Sequence, residues 1–131
     1  MTLKKIFAVI IVSMFTLTAC GVSGGKVTNL NATDFASKIS NSSVTLVDVR
    51  TPGEFSSGHI SGALNIDFES GSFEQDIQKL DKTKVYAVYC RSGNRSGQAT
   101  NLMANDGFKT VFNLNGGVID WINSGQSLVT N

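Results

Sequence analysis

Residues 84–90, KVYAVYC, form an almost unbroken apolar and aromatic run that stops at a cysteine. A short run of this kind, rich in β-branched and aromatic residues, predicts a strand buried inside a sheet. VTLVDV at 44–49 predicts a second buried strand, and KVTNL (26–30), ALNI (63–66) and FKTVFNL (108–114) predict three more. Helical spacing fills the intervals. NATDFASKIS has Thr33 or Asn31 as N-cap, with Phe35 and Ile39 four apart on one face. TPGEFSSGH holds Pro52 in a first helical turn with Glu54 behind it. SFEQDIQKL sets Phe73, Ile77 and Leu80 on one core-facing side, with Ser72 as its cap. RSGQATNLMANDG predicts a helix closed by Gly107, and NGGVIDWINSG a glycine turn followed by a short helix. Strands alternating with helices predict a single α/β domain, with a mostly parallel central sheet and helices on both faces. In such sheets ligands sit beyond the carboxyl ends of the strands, where Cys90 is expected.

The first residues stand apart from this pattern. Lys4 and Lys5 precede an apolar run from Ile6 to about Leu17, then small residues and Cys20, the layout of an export signal. The run is too short for a comfortable membrane-spanning helix. LTAC at 17–20, followed by Gly21, resembles the lipobox of bacterial lipoproteins, which implies that Cys20 is lipidated and becomes the first residue after cleavage. The expected organisation is a lipoprotein signal peptide at 1–19, the lipidated cysteine and a Gly/Ser-rich tether at 20–26, and the domain at 27–131. The expected location is the bacterial cell envelope, lipid-anchored on the extracytoplasmic side. Of the 11 Lys and Arg, two lie before Cys20 and none of the 10 Asp and Glu does, so the remainder carries 9 against 10, a formal −1. This balance predicts no basic footprint for nucleic acid and no polybasic patch for anionic lipid, leaving attachment to the acyl chains. About 110 residues remain, enough for one core and one domain.

With Cys20 lipidated, Cys90 is the only free thiol and no internal disulfide is available. The loop that follows it, Arg91, Ser92, Gly93, Asn94, Arg95 and Ser96, joins a strand end to a helix start. Backbone N–H groups there form an anion-binding cradle, Gly93 and Gly97 allow the turn, and Arg91 and Arg95 add positive charge. All three effects favour the thiolate, and the same cradle suits an anionic substrate or a sulfur-bearing leaving group.

LVDVRTPGEFSSGHISGALNI (46–66), VYCRSGNRS (88–96) and LNGGVIDW (114–121) resemble the single-domain rhodanese-like sulfurtransferases, in the family's order and over about residues 27–129. The resemblance makes Cys90 the catalytic nucleophile and the loop from Arg91 to Ser96 the cradle for its bound sulfur. Asp48 and Arg50 match the family's D-x-R pair, a structural feature close to the site. Arg95 matches an arginine that often closes the loop, and Gly116, Gly117 and Trp121 match the closing motif, with Trp121 near the pocket rim. Ser61 departs from the pattern, which often has Pro there. The implied reaction moves a sulfane sulfur from a donor, such as thiosulfate or a persulfide, to a thiol or cyanide through a Cys90 persulfide. Ping-pong kinetics follow. No metal or organic cofactor is implied. The expected partners are the small donor and acceptor, or a partner protein, with the domain itself a monomer.

Other candidates are read as structural. Glu54 is expected in an ion pair or a helix N-terminal contact, and His59, the only histidine, in the GHISGA turn. One Cys and one His do not supply a four-ligand zinc site. A phosphatase or arsenate reductase on this fold spaces its cysteine and arginine as C-x5-R, whereas four residues separate Cys90 from Arg95. A membrane-anchored persulfide carrier or sulfide sensor is the alternative of another class, and multiple turnovers separate the two.

Overall fold

The computed structural model describes residues 24–130. Five strands are β1 (Lys26–Leu30), β2 (Val44–Asp48), β3 (Leu64–Asn65), β4 (Val85–Tyr89) and β5 (Thr110–Leu114). Five helices are α1 (Ala32–Ile39), α2 (Pro52–Ser57), α3 (Phe73–Ile77), α4 (Asn94–Asn105) and α5 (Gly117–Asn123). The sheet order is β1-β5-β4-β2-β3, and every strand pair is parallel. The sheet is thus wholly parallel where the sequence predicts a mostly parallel one.

β4 is central because its residues have apolar partners on both faces. Tyr86, Val88 and Cys90 pack with Val47, Val49, Phe73, Ile77, Ala99, Met103 and Phe108, the core under α3 and α4. Ala87 and Tyr89 pack with Phe35, Leu46, Ile60, Leu114, Val118 and Trp121, the core under α1 and α5. Both cores are drawn from residues between Leu30 and Leu128, so a chain beginning at Gly24 carries them whole.

Local chemistry sets the helix starts. Asn31, rather than Thr33, caps α1, accepting the Asp34 N–H at 2.8 Å. α2 opens on a capping box in which the Thr51 hydroxyl accepts the Glu54 N–H while the Glu54 carboxylate accepts the Thr51 N–H at 3.1 Å. The predicted Ser72 cap is not formed: its hydroxyl donates to Asp76 at 2.8 Å instead. The Ser72 backbone, at φ −113° and ψ 4°, is outside the extended shape from which an N-cap side chain accepts the N–H groups of the first turn. The predicted signal segment, Cys20 and most of the tether lie outside the described residues.

Candidate active site

The carboxyl end of β4 delivers Cys90 to the junction of the loops after β4 and β5. The two loops are zipped together by backbone contacts. The Val118 N–H donates to the Cys90 carbonyl at 2.9 Å and the Ile119 N–H to the Arg91 carbonyl at 3.2 Å. Two glycines permit this approach. Gly93 has φ +96°, and a Cβ on it would land on the Asn115 carbonyl. Gly117 has φ +62°, and a Cβ there would overlap the Arg91 carbonyl and the Ser92 nitrogen. Neither backbone shape nor space admits another residue.

Cys90 is fully buried at the floor of the loop. Its sulfur accepts the Gly93 N–H at 3.1 Å and the Ser96 hydroxyl at 3.3 Å. Burial alone pushes the thiol's pKa up. The Ser96 hydroxyl and the N–H groups of Ser96, Gly93 and Ser92 outweigh it, and the thiol sits below its ordinary value.

The two arginines of the loop are held differently. Arg91 is exposed, and its carbonyl, not its guanidinium, ties the loop to α5. Arg95 donates to both oxygens of Glu54, at 2.8 and 2.9 Å, and to Glu69 at 3.2 Å. It acts on Cys90 through its charge, while the direct hydrogen bonds to sulfur come from Ser96 and the backbone. The Arg95 pair, against a desolvation that works the other way, holds the Glu54 carboxyl at about 2. Glu54 thus joins the first turn of α2 to the first turn of α4, across the mouth of the site. Its depressed pKa makes the stabilisation present above the unfolded value near 4.3 and lost as pH falls toward 2. Glu54→Gln is expected to lower stability at pH 7 by about 1 kcal/mol, since the pair is partly solvated, and to remove that acid-range dependence. Denaturant unfolding at pH 7 and pH 3 checks both.

Asn94 opens α4 and is exposed, its side chain accepting from Gln98 at 2.7 Å. Asp48 and Arg50 are buried together behind the loop. The guanidinium contacts the carboxylate at 2.7 Å and donates to the Gly58 carbonyl at 2.7 Å. Tyr89, immediately before Cys90, accepts the Ile60 N–H on its hydroxyl at 3.0 Å, and the Arg50 guanidinium lies 5.6 Å from its ring. Burial, then the Asp48 charge, pushes the Tyr89 hydroxyl far above its ordinary value, so it stays neutral. Trp121 is buried edge-on to Phe35, its indole N–H donating to Ser127 at 3.0 Å. His59 stacks on Phe55 at 3.8 Å, and its Nδ1 lies 2.9 Å from the Phe55 carbonyl. It makes no hydrogen bond to Cys90. Ser61 and Gly62 form an exposed turn closed by the Ala63 N–H on the Ile60 carbonyl at 3.1 Å, so the turn closes without the usual proline. Among the described residues no group of three or more His, Cys, Asp and Glu is placed to hold a metal. Glu69 and Tyr89 are the site neighbours that sequence reasoning missed. Glu69 lies in none of the motifs, and Tyr89 lies in VYCRSGNRS at a position to which no role was given.

A wholly parallel sheet with a cradled cysteine at the end of its central strand defines a class: α/β domains that present a thiolate at a strand-to-helix turn. The family model for the rhodanese-like domain matches residues 31–124. The chain belongs to the rhodanese-like domain family. It is 37% identical over 86 residues to a sulfurtransferase of Allochromatium vinosum, covering 66% of this chain and 78% of that one. It is 33% identical over 93 residues to the thiosulfate:glutathione sulfurtransferase of Saccharomyces cerevisiae, covering 63% and 67%. Some other curated relatives are longer, the chain spanning 31% of the tRNA uridine(34) hydroxylase of Wigglesworthia glossinidia brevipalpis. The crystal structure of a rhodanese-related protein from Thermoplasma volcanium superposes with a TM-score of 0.70 at 32% identity, covering 79% of this chain and 98% of that one. A chain consisting of little more than this domain therefore folds by itself.

Proposed function

We propose that this protein is a sulfurtransferase that carries a sulfane sulfur on Cys90. The observation that supports this most is the convergence of the Gly93 N–H and the Ser96 hydroxyl on the Cys90 sulfur. The Cys90 thiolate attacks the outer sulfur of the donor. A new S–S bond forms, the donor's S–S bond breaks, and the electron pair leaves with the departing group, sulfite when the donor is thiosulfate. The persulfide's terminal sulfur then bonds to an acceptor nucleophile, a thiolate or cyanide, and the Cys90 thiolate is regenerated. No external oxidant or reductant is needed, and the sulfur itself is the only group carried. Incubating the domain with thiosulfate or a glutathione persulfide should add the mass of one sulfur, removable by cyanide, and donor with acceptor should give many turnovers. No added mass with either donor overturns this reading. Loading without turnover would replace it with the carrier reading.

Ser96→Ala removes a hydroxyl that favours the thiolate. The loading rate of the wild type should rise with pH through a midpoint below that of an ordinary thiol, about 8.5. In the variant the midpoint should move up and loading at neutral pH should fall about tenfold. An unchanged pH–rate profile would remove Ser96 from thiolate stabilisation.

The second part of the proposal is the anchor. Cys20 carries the acyl groups and holds the domain on the extracytoplasmic side of a bacterial membrane, two or more chains being needed for firm attachment. Cys20→Ala should leave the protein unprocessed or move it from the membrane to the soluble fraction. Unaltered fractionation, with no uptake of a lipid analogue by the wild type, would defeat it.

A further inference from the structure

The near-neutral composition conceals a polarised molecule. All five strands run the same way, so residues that lead into strands share one end of the sheet. Lys26 opens β1, Lys84 and Lys109 directly precede β4 and β5, and Lys82 lies in the turn before β4. Their backbones are tied together, the Lys26 N–H donating to the Lys109 carbonyl at 3.0 Å and the Lys109 N–H to the Lys82 carbonyl at 3.1 Å. Lys38 joins them from the last turn of α1, which feeds β2 through the Val44 N–H on the Asn41 carbonyl. Lys26, Lys38, Lys84 and Lys109 are exposed. Asp81, which accepts from Thr83, and Asp106, which pairs with Lys82 at 3.0 Å, share this end, and Glu74 borders it, lining a hollow with Asp106. Five cations against three anions leave +2.

The other described lysine, Lys79, pairs with Asp76 at 3.0 Å. All three arginines are at the catalytic end. There Arg50, Arg91 and Arg95 face Asp34, Asp48, Glu54, Asp67, Glu69 and Asp120, which follow the carboxyl ends of the strands or close them, leaving −3.

We infer that the lysine end is a docking face for an anionic phospholipid bilayer. The inference departs from the expectation of no such patch, which was drawn from net charge: a sum over the chain does not register where charges lie. Charge complementarity is one argument and the chain's path is another. Gly24 and Gly25 enter β1 at this same end, with the Gly25 N–H on the Ala104 carbonyl at 3.0 Å, so everything before them is attached at this face. Cys20 is four residues before Gly24, a span of at most about 14 Å. If Cys20 is lipidated, as proposed above, the lysines are held close to the headgroups, where a screening length of about 8 Å still leaves attraction. The acidic catalytic end is repelled from the same surface. The loop at Cys90 then faces away from the membrane, toward donors and acceptors in the aqueous phase.

The test uses residues 24–131, which carry both cores and lack Cys20, with sedimentation on vesicles of phosphatidylglycerol in phosphatidylcholine and of phosphatidylcholine alone. At low salt, binding to the anionic vesicles should be at least about tenfold tighter, each lysine near the surface contributing about fivefold. The preference should fade as salt rises. The combined variant Lys26→Glu, Lys84→Glu and Lys109→Glu should lose it, while Lys79→Glu should keep it, both with the wild-type circular dichroism spectrum. Equal binding to the two vesicle types, or a preference that survives the triple reversal, overturns the proposal. So does retention on duplex DNA as strong as on anionic vesicles, which would mark a general polyanion face. Failure here leaves the lipidation of Cys20 standing, because this chain lacks that residue and the Cys20→Ala fractionation tests it separately.

Discussion

Cys90→Ser is expected to lower sulfur transfer by at least about a thousandfold, the scale on which enzymes lose rate when their nucleophile is removed. The hydroxyl is smaller than the thiol and stays neutral at the floor of the loop, where Gly93 and Ser96 now converge on oxygen. It gives no persulfide, so the variant should gain no sulfur mass from any donor. The fold should be retained, because Cys90 sits in a core whose other members are untouched. A change of one buried atom of similar shape should cost no more than about 1–2 kcal/mol. Activity, mass spectrometry and denaturant unfolding on the same preparation separate the two effects. Wild-type turnover in this variant would overturn the mechanism.

Gly117→Ala is the second large effect, and it reaches the site without touching sulfur. At φ +62° an alanine is strained, and its methyl would press on the Arg91 carbonyl and the Ser92 nitrogen. The contact cannot be relieved by a rotamer change, since both partners are backbone. Either α5 backs away, breaking the Val118 and Ile119 hydrogen bonds to the Cys90 and Arg91 carbonyls, or the loop shifts. Destabilisation of about 3 kcal/mol is expected, with loading slowed about a hundredfold by a cradle displaced from its sulfur. Gly53→Ala is the control. Gly53 lies in α2 without a left-handed φ, and a methyl there meets nothing within 4 Å. A Gly117→Ala protein with wild-type stability and loading would show that the two loops are not mechanically joined.

The candidate site was legible where a short stretch of chain builds it. Cys90, Gly93 and Ser96 lie within seven residues, and a strand end, a glycine turn and a helix start bring the three together locally. The capping box of Thr51 and Glu54 was partly legible for the same reason. The partners of Arg95 were not. A loop arginine beside a cysteine reads as a nearby positive charge, and the guanidinium also donates to Glu54, 41 residues away, and to Glu69, 26 residues away. Trp121 similarly lies in a motif associated with the site, but its ring belongs to the core beside Phe35.

The sequence by itself determined the elements and their class. Apolar runs such as KVYAVYC require burial on both faces, and the amphipathic segments between them supply the covering helices, so a parallel α/β sheet with Cys90 at a strand end follows from pattern alone. Charge was legible only as a total. The tertiary structure decided its distribution, because parallel strands gather every strand-entering lysine at one end and every strand-exit carboxylate at the other. It also decided the partners of Arg95 and the union of the loops after β4 and β5. Those contacts join residues distant in the chain, and their geometry depends on how the strands are ordered in the sheet, which local propensity does not encode.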